Sequence, residues 1–93
     1  MKLTIDSVVQ RSEGVVTAPV QHELVLMSVE RGQYFGTGSV GAWLWEHLER
    51  PAPVADLCRG LQERYQVEPE VCAHDVLGFL QDLLEQGLLT VQR

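Results

Sequence analysis

The 93-residue sequence predicts an α+β fold, a three-stranded antiparallel sheet followed by three helices. Two observations carry this. The first third is rich in β-branched residues that alternate with polar ones, whereas from residue 38 onward the apolar residues recur at the helical period. Prolines at 51, 53 and 69 then divide the second part into separate helices.

Strands are expected near residues 14–19, 22–29 and 33–36, with residues 1–12 as a loose, partly extended arm. Glu30, Arg31 and Gly32 make a short connection of the kind that closes a hairpin and keeps the last two strands antiparallel. Pro19 argues against a central position for the end of the first strand. In the first helix, over 39–49, Val40, Leu44 and Leu48 form one stripe with Gly41 and Trp45 beside them, and Pro51 stops it. Gly38 serves as its N-cap. Pro53 suits the first turn of a second helix, whose buried face is Val54, Leu57, Cys58, Leu61 and Tyr65. Pro69 starts the third in the same way. There Cys72, Val76, Phe79, Leu80, Leu83 and Leu84 make a wide apolar arc that runs to Gly87, a left-handed C-terminal cap. Leu88, Leu89 and Val91 form a short extended tail.

The length suits one domain spanning 1–93, and an apolar content of 45% with 22% charged residues excludes wholesale disorder. Nothing approaches the run of about 18 apolar residues that a membrane helix needs, and no signal-peptide core is present, so a cytoplasmic protein with no membrane partner is expected. Seven basic against thirteen acidic residues give a net charge of −6, which disfavours nucleic acid. Nine of the acidic side chains fall in residues 38–93, against four basic ones. Cys58 and Cys72 lack metal-ligand or redox spacing and read as reduced core residues.

The chain offers little to catalysis. His22, His47 and His74 fall in three different elements, and the acidic residues sit mostly opposite the apolar stripes. Asp75 is the exception: beside Val76 and Phe79, it either borders the core, paired with an arginine or a backbone N–H, or lines a groove and meets a ligand cation. The run FGTGSVG (35–41) is a weak match to a phosphate loop, without a following lysine and beside an antiparallel sheet. Trp43 lies off the apolar arc of its helix, at the edge of the core or on a contact surface.

The segments HELVLMSVERGQYFGTGSVGAWLWEHLE, PVADLCRGLQERYQVEPE and DVLGFLQDLLEQGLL together resemble the PqqD-like family of RiPP recognition elements, over roughly residues 6–91. The most specific parts are Tyr34, Phe35 and Gly36 at the hairpin's end, then Val40, Gly41 and Trp45, then Asp75, Val76, Phe79, Leu80, Leu83, Gly87 and Leu88. Two departures affect helix starts: Thr37 and Gly38 stand where the family usually has leucine and asparagine, and Glu68 where aspartate is commoner. Each should cost about 1 kcal/mol or less.

The resemblance implies a winged-helix-like module that binds the leader segment of a ribosomally made precursor peptide, without catalysis and without a cofactor or metal. In that family the leader enters as an extended strand against the edge of the third strand, flanked by the third helix. By position, Gln33, Tyr34, Phe35, Gly36 and Thr37 would supply the edge, and Cys72, Asp75, Val76 and Phe79 the facing helix. The main-chain groups of such an edge give register and affinity, and the side-chain pockets give selectivity. The implied partners are the precursor leader and a leader peptidase or modifying enzyme, and the free edge also permits a homodimer. A discrete chain of this kind resembles most the separate recognition protein of lasso-peptide biosynthesis, termed B1. The alternative is the chaperone of pyrroloquinoline quinone biosynthesis. From another class, a winged-helix nucleic-acid binder is the main rival, and against it no lysine or arginine occurs between residues 65 and 92.

Overall fold

The computed structural model describes residues 2–21 and 23–92. His22 lies outside the described residues. In chain order the elements are β1 (Val8–Arg11), β2 (Val15–Val20), β3 (Glu23–Ser28), β4 (Gln33–Thr37), α1 (Ser39–His47), β5 (Ala52–Pro53), α2 (Val54–Tyr65), α3 (Pro69–Glu85) and β6 (Leu89–Gln92). The fold is α+β, as expected, and the antiparallel sheet β2–β3–β4 precedes the helices in the chain.

That sheet is built by local connections. Thr17, Leu26 and Phe35 stand side by side across its three strands. The β3–β4 loop closes with the Gly32 N–H donating to the Ser28 carbonyl at 2.8 Å, and Gly32 takes a φ of +66°, which suits a residue without a Cβ. Pro19 lies on β2, at the sheet's edge, where its missing donor is tolerated.

The N-terminal arm departs from expectation. Instead of lying loose, it contributes β1, the middle strand of a second antiparallel sheet, β5–β1–β6. Val9 faces Ala52 on one side and Val91 on the other, so the expected C-terminal tail is also a strand. Upstream, the carbonyls of Ser7 and Ile5 accept from the N–H groups of Val54 and Ala55, donors that the first turn of α2 leaves unpaired. Leu3 is buried, and its N–H donates to the Gln81 side chain at 3.0 Å.

The helix boundaries follow the punctuation closely. Gly38 is the N-cap of α1, without a side-chain bond. Pro53 sits one residue earlier than expected, as the extended N-cap of α2 rather than in its first turn, because it is engaged in β5. Pro69 is the first residue of α3. At the other end the Leu88 N–H bonds back to the Leu83 carbonyl and the Gly87 N–H to that of Leu84, with Gly87 at φ +76°, a Schellman cap that turns the chain into β6.

The buried faces of the three helices meet Leu26 of one sheet and Val9 and Leu89 of the other in a single hydrophobic cluster. Val40 and Tyr65, read from the sequence as parts of buried stripes, are instead 42% and 38% exposed. Their surroundings are described below.

Candidate functional site

Among the described residues, β4 has β3 on one side and no strand on the other. Along its open side, alternate residues present N–H and C=O groups that no described strand satisfies. The strand is short, and its side chains divide by the pleat. Phe35 and Thr37 turn inward, half-buried and buried, whereas Tyr34 turns outward and is 75% exposed.

Facing this edge is α3. The rings of Phe35 and Phe79 meet edge-on, with centroids 6.0 Å apart and planes at 67°. At the far end Arg31, in the β3–β4 loop, donates from Nη1 to the Glu85 carbonyl at 3.2 Å, beside the last turn of α3 where unpaired carbonyls favour a cation. Two contacts, one aromatic and one polar, thus hold β4 alongside the helix.

Between them opens a groove of about 670 Å³. From the strand it is lined by Phe35, Gly36 and Thr37, and from α3 by Cys72, Asp75, Val76 and Phe79. All seven were expected at the site. Gln33 and Tyr34 lie on the same strand but outside the groove, so what they offer to a strand alongside is backbone. The sequence reading missed the remaining wall: Gly38, Ser39, Val40, Gly41 and Leu44 at the start of α1, and Leu61, Tyr65 and Val67 around the end of α2. Val40 and Tyr65 could have been found only by asking which apolar residues exceed what the core needs.

Thr37 and Gly41 set how closely α1 approaches this wall. The Thr37 hydroxyl donates to the Leu24 carbonyl at 3.3 Å, which fixes its side chain. A Cβ placed on Gly41 would lie 2.7 Å from Thr37 Cβ and 3.0 Å from the Phe79 ring, so only glycine allows this spacing.

The lining is apolar with one charged side chain, Asp75, which is exposed and makes no ion pair or hydrogen bond among the described residues. Of the two readings of Asp75, the structure places it on the groove rather than paired at the core's border. Cys72 is buried at the groove floor, and its Sγ lies 3.6 Å from the Cys58 carbonyl. Both cysteines are free thiols, and burial, with a smaller contribution from Cys72, pushes the Cys58 thiol up to about 11. It is therefore protonated at neutral pH and a poor nucleophile.

The other candidates disperse. His47 is exposed, as a surface imidazole, and stacks on Trp43 with ring centroids 3.9 Å apart while donating from Nδ1 to the Trp43 carbonyl at 2.8 Å. Trp43 is half-buried against Gly60 at the edge of the core. His74 is exposed on α3. Among the described residues no group of histidines, cysteines and carboxylates could hold a metal ion.

Comparison with known proteins agrees with this geometry. Residues 23–89 match the family described as Coenzyme PQQ synthesis protein D (PqqD). No curated protein matches the chain by sequence. Among solved structures, TbiB1 in complex with the TbiA(beta) leader peptide is 30% identical, with a TM-score of 0.77 over 86% of this chain and 93% of that one. A lasso peptide synthetase B1 complexed with its leader peptide shares the fold at 21% identity, with a TM-score of 0.76 over 88% and 96% of the two chains. The family match covers most of the chain, including the open strand and the helix that faces it, and on that ground the protein belongs to the PqqD family.

Proposed function

We propose that this protein binds the leader segment of a ribosomally synthesised precursor peptide, in lasso-peptide biosynthesis, by adding the leader as a strand to the open edge of β4. The observation that carries the proposal is an unpaired strand edge facing an apolar groove beside α3, in a chain similar to B1 proteins that are themselves complexed with leader peptides. Main-chain bonds to β4 would set the leader's register, and its inward side chains would enter the groove against Phe35, Val76 and Phe79. Asp75 favours a basic or hydrogen-bond-donating leader residue at that end.

The protein performs no chemical step in this reading. It holds the leader and thereby raises the effective concentration of the attached core peptide at a leader peptidase or modifying enzyme in the same complex. The work is cytoplasmic, where precursors are made, and no helix among the described residues is long and apolar enough to cross a membrane. Binding of nucleic acid is disfavoured, since α3 carries Glu70, Asp75, Asp82 and Glu85 and no lysine or arginine.

The test is fluorescence anisotropy of a labelled leader from the precursor encoded beside this protein. Micromolar or tighter binding that survives moderate salt supports leader recognition. No binding to that leader, with salt-sensitive binding to duplex DNA, would overturn it.

A further inference from the structure

The last carbonyls of a helix have no donors within it. In α3 those of Asp82, Leu83 and Leu84 accept from the N–H groups of Gln86, Leu88 and Gly87, which make up the cap. The next carbonyl, that of Glu85, accepts from Arg31 Nη1 at 3.2 Å. The last turn of α3 has no basic residue of its own, and Asp82 and Glu85 add charge of the unfavourable sign to a helix end that is already negative. Arg31 therefore supplies from the β3–β4 loop the cation that this helix end lacks.

Both ends of Arg31 are fixed. Its backbone N–H donates to Oγ of buried Ser28 at 3.2 Å, and its guanidinium lies so close to Gly87 that a Cβ there would come within 2.9 Å of Arg31 Cζ and Nε. Among the described residues no backbone hydrogen bond joins β4 to α3, and no strand pairing joins its sheet to the β5–β1–β6 sheet. The spacing of β4 from α3 thus rests on side chains. Phe35 against Phe79 is one attachment, at the end of the groove, since the other α3 residues that line it, Cys72, Asp75 and Val76, all precede Phe79. Glu85 stands about 9 Å further along the helix, outside the groove. Two separated attachments fix the tilt of the strand. With one, β4 can pivot about the ring pair.

We propose that Arg31 is a positioning residue for leader recognition: it fastens the loop end of β4 to the C-terminus of α3 and so holds the open edge at the leader's spacing before the leader arrives. The proposal rests on leader addition to β4. Without Arg31 only a fraction of the molecules present the edge correctly, and the apparent affinity falls by that fraction. The loss then appears in association, while the leader already bound leaves at its usual rate. A residue that touched the leader would act mostly on dissociation instead.

The test compares Arg31→Ala, Arg31→Gln and Arg31→Lys with the unsubstituted protein by stopped-flow anisotropy, using the labelled leader of the precursor encoded beside this protein. Circular dichroism melts set a temperature at which every variant is fully folded, so that a loss of global stability does not register, and either neutral variant suffices if the other unfolds. At low salt Arg31→Ala and Arg31→Gln should associate about three- to fivefold more slowly, the range of a cation at a helix C-terminus, with dissociation within about twofold of the unsubstituted protein. Arg31→Lys keeps the cation and should recover association to within about twofold. The difference should narrow at about 1 M salt. Unchanged association in both neutral variants would overturn the positioning role and leave leader recognition standing. A loss carried by faster dissociation would make Arg31 a leader contact and also overturn it. Failure of the unsubstituted protein to bind leader would remove both.

Discussion

The ring of Phe35 on β4 rests edge-on against the ring of Phe79 on α3, 6.0 Å between centroids. This pair joins the open strand to the helix across the groove and is part of the groove's own lining, so it bears on both stability and recognition.

Truncating Phe79 to alanine removes a half-buried ring from that wall. The expected stability loss is about 2 kcal/mol, below the range for fully buried phenylalanines. Leader affinity should fall by about tenfold or more, because a leader side chain loses its apolar contact. Denaturant unfolding and anisotropy on the same variant separate the two effects.

Gly41→Ala tests the approach of α1 to β4. Alanine favours a helix by up to about 1 kcal/mol, yet its Cβ would come within 2.7 Å of Thr37 Cβ, and the Thr37 side chain is held by its bond to Leu24. Overpacking of about 1–3 kcal/mol should win, giving a net loss of stability. Gly78→Ala on exposed α3, where an added Cβ meets nothing within 4 Å, should instead raise stability by roughly 0.5–1 kcal/mol. Chemical denaturation of the two variants side by side would show opposite signs.

Tyr34→Ala should leave leader affinity within about twofold, as surface substitutions do. Its side chain points away from the groove, and only its backbone belongs to the edge. A tenfold loss in a direct titration with leader alone would show that the leader crosses the outer face.

Asp75→Asn removes the one charge that lines the groove. The expected loss is about two- to fivefold in leader affinity at low salt, the range of an exposed ion pair. Titrations repeated at about 1 M salt, where screening is strong, should show the two proteins converging.

Cys58 gives a pH dependence of stability. Its thiol stands at about 11 in the fold against an ordinary value of 9.0, because burial disfavours the thiolate. Below pH 9 the thiol is protonated in both states and its contribution is complete. Between 9 and 11 the unfolded chain loses this proton while the folded chain keeps it, so the contribution falls as pH rises. Thermal melts across that window should show a decline that Cys58→Ala reduces.

What could be read from the sequence was local. The β3–β4 hairpin announces itself through Glu30 to Gly32, α3 begins at Pro69, and Gly87 ends it, each through the backbone preference of a single residue type. The second sheet was hidden because its pairings are not local: Val8 pairs with Gln92 from the opposite end of the chain. The groove was half legible. An apolar arc on α3 wider than its packing needs pointed to Phe79 and Val76, but periodicity alone does not separate core from groove. Hence Val40 and Tyr65 were assigned to buried stripes that they in fact extend into the open.

The central claim is that the leader adds a strand to β4, and amide hydrogen exchange along that strand tests it most directly. With saturating leader, alternate amides between Gln33 and Thr37, those on the open side, should become strongly protected while the outer edge of β2 is unchanged. Protection confined to β2 or α1, or none at β4 with the leader demonstrably bound, would contradict the account.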